Sequence, residues 1–167
     1  MTTWPLQSQC DSFYGNPRGL GGGVVSPSWY QENMVSLTPQ FAMHMGAIPI
    51  THFAVHTKCK ASFEAWLEAV WNNAGKDPEK IKLWGMDIFS GSFNYRVMRT
   101  SNHLSMHSYG AAIDMDAPRN GQGSGAGHFA TLKNEVVSPF LDLGGTWGGN
   151  WHGSTQDSMH FQFATLG

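Results

Sequence analysis

A chain of 167 residues with 41% hydrophobic content is long enough for one domain with a real core. Only 13% of residues are charged and the formal net charge is -2, with no basic stripe, so nucleic acid and anionic membranes are excluded as partners on electrostatic grounds. No apolar run reaches spanning length, so no membrane insertion is expected, and the seven tryptophans belong mostly to an aromatic core, some being available to wall a groove.

In chain order, Met1-Thr2-Thr3-Trp4-Pro5 lacks the basic and apolar regions of a secretory signal. The expectation is a chain made in the cytoplasm. Cys10 and Cys59 have no metal-like spacing and are expected as buried free thiols rather than a disulfide. Residues 1–58 read as an irregular, partly extended arm, because turn signals are dense: Gly15-Asn16-Pro17, Gly21-Gly22-Gly23, then Pro27, Pro39 and Pro49. The glycine cluster lacks the Lys-Ser/Thr ending of a phosphate loop. His52 and His56 have the spacing of a zinc-binding helix, but Phe53 stands where the catalytic Glu would be, which favours ordinary histidines.

The clearest helix follows. Phe63, Trp66, Leu67, Val70 and Trp71 recur at i, i+3, i+4, i+7 and i+8, and Gly75 can cap the end. That stripe is core. Asp77-Pro78-Glu79 is an N-cap and first-turn signal expected to open only a short turn, and 81–89 reads as a strand leading to Phe93-Asn94-Tyr95-Arg96. Beyond Asp114, the loop from Pro118 to Gly125 can rim a groove. Phe129, Leu132, Val136 and Val137 suggest a second helix, interrupted or restarted at Ser138-Pro139.

Two stretches carry chemistry. Ala112-Ile113-Asp114-Met115-Asp116 and His160-Phe161-Gln162-Phe163 both alternate apolar and polar residues, as half-buried strands do. Paired in one sheet, they set Asp114 and His160 on a common polar face, and Gly110 lets His107 fold back towards them. A catalytic zinc takes three protein ligands and keeps one place for water, and His107, Asp114 and His160 fit that inventory. Asp157, three residues before the last ligand, would be the base that takes the proton from the water. Asp116, expected on the same strand face as Asp114, is its nearest rival, with a solvated or loop-supporting role as the plain alternative. His44, His103, His128 and His152 fall in the ordinary class, although His152, between Trp151 and Asp157, is placed to reach a substrate.

These stretches resemble the zinc D-Ala-D-Ala carboxypeptidase and L-alanyl-D-glutamate endopeptidase family, which shares a superfamily with lysostaphin-type enzymes and the hedgehog signalling domain. The family pattern Ser-x-His-x-x-Gly-x-Ala-x-Asp is met by Ser105, His107, Gly110, Ala112 and Asp114, and its later acid-x-x-His by Asp157 and His160. Arg96 stands at the offset of the family's upstream Arg, and Trp147-Gly148-Gly149-Asn150-Trp151 matches the tryptophan segment of phage-endolysin members, with Asn where an acid is usual. The likeness is close from about residue 85 to 167 and loose before it.

The resemblance implies an α+β fold of the hedgehog/DD-peptidase type, a small antiparallel sheet carrying the zinc site with helices packed on one side. It implies one peptidase domain over residues 1–167, with the arm at 1–58, a catalytic core at 59–167 and no cell-wall-binding module. One Zn2+ per chain is implied, with Arg96 stabilising the oxyanion or clamping a carboxylate and Ser105 supporting the ligand loop. Trp147 and Trp151 would wall the groove, or plug the fold under a glycine turn. The implied partner is a peptidoglycan stem peptide and the implied state a monomer. The activity expected is endolysin-type cleavage between L-Ala and D-Glu, reached through a holin or from a virion. The alternatives are removal of terminal D-Ala, and a zinc-bearing binding domain without catalysis.

Overall fold

In a computed structural model, residues 3–97, 103–123 and 125–166 are described, and they form a mixed α+β structure. Helix α1 (Cys10–Tyr14) and helix α2 (Pro27–Asn33) lead into strand β1 (Met34–Leu37). Strands β2 (Met43–Met45) and β3 (Ile48–Ile50) form a hairpin, and β4 (Phe53–His56) returns to pair antiparallel with β1. Thus His52 and His56 lie at a strand, not on a zinc-binding helix.

Of residues 1–58, expected as an irregular arm, the described stretch 3–58 is built into the core. Trp4 stacks on Phe163 with ring centroids 4.4 Å apart and donates its indole N–H to Leu143 O at 2.9 Å. The Tyr14 hydroxyl donates to Phe163 O at 2.5 Å, and Trp29 donates to Tyr14 O at 3.0 Å. The anchors Trp4, Cys10, Tyr14 and Trp29 are isolated between turn residues, so no periodicity announced them. Cys10 and Cys59 are free and buried, and burial pushes both thiols up to about 12.

Helix α3 (Thr57–Asn73) buries Phe63, Trp66, Leu67 and Val70, as the stripe predicts. His56 caps its start: Nδ1 accepts from Lys58 N at 3.0 Å while Nε2–H donates to Tyr14 O at 2.9 Å. Its end is a Schellman motif, with Gly75 N bonded to Asn72 O and Lys76 N to Trp71 O, both at 2.9 Å.

The run at 81–89, expected as a strand, starts as helix and continues as a turn. Helix α4 (Pro78–Trp84) is capped by Asp77 Oδ1 accepting from Glu79 N at 2.9 Å and ends at Gly85, φ 81°. The capping residue and the Pro at the helix start outweigh the apolar bias, and only β5 (Phe89–Gly91) is strand. The expected second helix is broken into a 3-10 turn (His128–Thr131), a π turn (Lys133–Val137) and α5 (Ser138–Leu141). Pro139 has no N–H for the Glu135 carbonyl four residues back, and Asn73 Nδ2 on α3 donates to that carbonyl at 3.0 Å instead.

Strand β6 (Ala112–Met115), strand β7 (Thr146–Trp147) and strand β8 (His160–Gln162) complete a four-stranded antiparallel sheet in the order β5-β6-β8-β7. Ile113 is opposite Phe161, both buried. Helices α3 and α5 cover that face, with Trp66 4.6 Å and Phe140 5.3 Å from the Phe161 ring. Burying one such aromatic side chain stabilises the fold by about 1.5–3 kcal/mol. Asp114 lies opposite His160 and Ala112 opposite Gln162, so the other face carries the polar residues.

Candidate metal centre and cleft

The two strands and one tight turn assemble the site. His107 sits in a 3-10 turn (Met106–Tyr109) that Ser105 caps, its Oγ accepting from His107 N at 3.3 Å. Gly110 closes the turn at φ 69°, and a Cβ there would lie 2.7 Å from the His56 backbone nitrogen. Only glycine permits both the conformation and the approach. The Arg96 strip is tied to the same turn: Arg96 N donates to Ser108 Oγ, and that hydroxyl donates to Arg96 O, both at 2.9 Å.

Asp114 lies between two imidazoles, Oδ2 at 3.1 Å from His107 Nε2 and Oδ1 at 3.0 Å from His160 Nδ1. Both rings are held from outside. His107 Nδ1 is 2.6 Å from Ser92 O, and a carbonyl can only accept, so Nδ1 carries a proton and Nε2 is the nitrogen that faces Asp114. His160 Nε2 is 2.8 Å from Gln162 Oε1, which leaves Nδ1 facing the carboxylate. His107 Nε2 is buried without a hydrogen-bond partner. One ligand atom from each of His107, Asp114 and His160 lies within 4.8 Å of the others. Two imidazole nitrogens facing one carboxylate are held together by a cation between them, a proton or a metal ion, and an N,N,O set suits zinc.

Burial alone would raise the Asp114 carboxyl, but His107 and His160 outweigh it and hold it far below the usual range. Burial opposes the charged form of His160, yet Asp114 and Asp157 together raise it. Asp157 is shifted up, first by burial and then by the Asp114 charge, against the pull of His160, His107 and Arg96. Its Oδ1 is buried without a hydrogen-bond partner.

Asp157 reaches this position through a tight turn: Asp157 N donates to Gly148 O at 2.9 Å and His160 N to Asp157 O at 3.1 Å. A Cβ on Gly148 would come within 2.3 Å of Asp157 O, so the bare backbone is required.

A cleft of about 520 Å³ opens beside the trio, lined by His160 and Asp157 but not by His107 or Asp114. Of the residues singled out from sequence, Arg96, Ser105, Trp151, His152, Asp157 and His160 line it. Trp147 does not: it is buried, donates to Ser158 O at 2.8 Å, and packs under Gly149 as a plug rather than a groove wall. Asp116 does not share the Asp114 face either. β6 stops at Met115, Asp116 turns to φ 48° and is fully buried, and its Oδ2 accepts from Arg119 Nε at 2.7 Å. Ser92, Ser108 and Gln162 were missed. Ser92 acts through its backbone carbonyl, which has no sequence signature, whereas Gln162 shares His160's face and was findable from the alternation.

Residues 99–163 match the family model described as D-alanyl-D-alanine carboxypeptidase. The matched carboxypeptidase-family segment contains Ser105, His107, Asp114, Asp157 and His160, and leaves Arg96 and the N-terminal half outside. It is the family that the sequence motifs resemble. No curated protein and no solved structure matches the chain.

Proposed function

We propose that the protein is a zinc-dependent peptidase of the hedgehog/DD-peptidase type that hydrolyses stem peptides of bacterial peptidoglycan, as an endolysin-type L-alanyl-D-glutamate endopeptidase. The observation that carries the metallopeptidase reading is the convergence of His107, Asp114 and His160 beside a cleft lined by Asp157, a half-buried carboxylate whose Oδ1 has no hydrogen-bond partner. Zinc held by His107, Asp114 and His160 would lower the pKa of a bound water from about 16 to roughly 7 and would polarise a carbonyl oxygen. Asp157 takes the proton from the attacking water and passes it to the leaving amine, a task suited to a carboxyl shifted upward by burial. Arg96 supplies the cation at the cleft wall, where it stabilises the developing oxyanion or holds a substrate carboxylate. The half-buried Trp151, its ring 5.5 Å from that of His160, gives the peptide an apolar surface next to the ligand.

A binding domain without catalysis would have no use for a cleft carboxylate whose Oδ1 is kept out of water without a hydrogen-bond partner, as at Asp157. The second reading is removal of terminal D-Ala, favoured by the description of the matching family model. Clearing of permeabilised cells by the purified protein, abolished by chelator and restored by zinc, is the expected result. No clearing in the presence of zinc, or clearing indifferent to chelator, would contradict it. Mass spectrometry of the products separates the bonds: free L-Ala ends mark the endopeptidase, and released D-Ala the carboxypeptidase.

A further inference from the structure

We propose that Gln162 is a positioning residue for the metal centre: it accepts the His160 Nε2–H and so commits Nδ1 as the ligand atom. The orientation of its amide is fixed by the chain itself. Gln162 Nε2 lies 3.1 Å from Ala164 O, a carbonyl that also accepts from Thr146 Oγ1 at 2.7 Å. A carbonyl only accepts, so the amide NH2 points there and Oε1 is left to face His160 Nε2 at 2.8 Å. Gln162 and His160 are both buried, so an Nε2–H without this acceptor would have nowhere to go.

The result is an asymmetric ligand set. His107, whose Nδ1–H is taken by Ser92 O, offers Nε2, while His160, whose Nε2–H is taken by Gln162, offers Nδ1. The two histidines approach one carboxylate from different elements, a turn and a strand, and each needs a different nitrogen inward. On β8 a side chain two residues on lies on the same face, which puts Gln162 in reach of the outer nitrogen. Cross-strand pairing to Thr146 and Ala112 then holds Gln162 in place from both sides.

This inference rests on the metal-centre reading and not on the identity of the bond cut, and its test needs no substrate. Zinc dissociation constants are measured by competition with a chromophoric chelator for wild type, Gln162→Met, Gln162→Glu and His160→Ala. Gln162→Met removes the acceptor and should weaken zinc about 10–100-fold. Gln162→Glu keeps an acceptor for Nε2–H and should bind close to wild type. Wild-type affinity in Gln162→Met, or equal weakening in Gln162→Glu, would overturn the proposal. NMR of the zinc-loaded wild type gives a check independent of any variant's folding: the His160 proton must be on Nε2, and a proton on Nδ1 refutes the assignment. Loss of zinc in His160→Ala with no effect in Gln162→Met would sink this inference alone, whereas unchanged zinc in His160→Ala would sink the metal centre itself.

Discussion

The chemistry turns on a few side chains whose environments differ sharply. Asp114 is held ionised by its two histidines, whereas Asp157 is pushed up by burial and by the Asp114 charge. Two carboxylates in one site, displaced in opposite directions, suit a ligand and a proton carrier. Asp157→Ala should therefore abolish hydrolysis while zinc stays bound, and full activity in that variant would put the base elsewhere. Stability moves the other way. A raised carboxyl stabilises the fold below its ordinary pKa, and that contribution is lost as pH rises through the raised value. In metal-free protein, Asp157→Asn should melt at a higher temperature than wild type at neutral pH, with the gap closing in acid. An equal or lower melting point at pH 7 would contradict the burial argument.

At the scale of elements, the site depends on where strands stop and turns close. Gly110→Ala puts a side chain at φ 69° with backbone 2.7 Å away, and should cost roughly 1–3 kcal/mol in denaturant unfolding and weaken zinc by displacing His107. His56 caps α3 only as a neutral ring, and burial holds its pKa below the ordinary 6.5. That contribution is complete above 6.5 and is lost as pH falls towards the lowered folded value. His56→Asn keeps an acceptor for Lys58 N, so its stability should fall less steeply than wild type between pH 6.5 and 5, and parallel slopes would refute the role. The β6–β8 pairing and the α3 stripe were legible because period and polarity agreed along each run. The break at Pro139 was legible too. What replaced the single helix there depends on Asn73 from α3, and a partner from another element leaves no local signal.

Across the whole molecule, two stretches far apart in sequence, one carrying His107 and Asp114 and the other His160, meet on one polar face while α3 and α5 close the other with aromatic rings. The clustering of His107, Asp114 and His160 was legible because spacing, strand alternation and Gly110 all pointed one way. The packing of residues 3–58 was not, since Trp4, Tyr14 and Trp29 dock singly against partners up to 149 residues away. Alternation places Asp116 on the Asp114 face only where the strand continues, and β6 ends one residue earlier. Among the described residues no helix is long and apolar enough to cross a membrane.

If the trio is a metal centre, zinc should stabilise the folded chain by mass action, about 4 kcal/mol at a thousandfold excess over its dissociation constant. Stoichiometry tests the centre most directly: zinc bound per chain after equilibrium dialysis, for wild type, His107→Ala, Asp114→Ala, His160→Ala and Asp157→Ala. One equivalent is expected in wild type and Asp157→Ala, and a clear loss in each of the other three. Equal zinc in all five proteins, or none in wild type, would contradict the account.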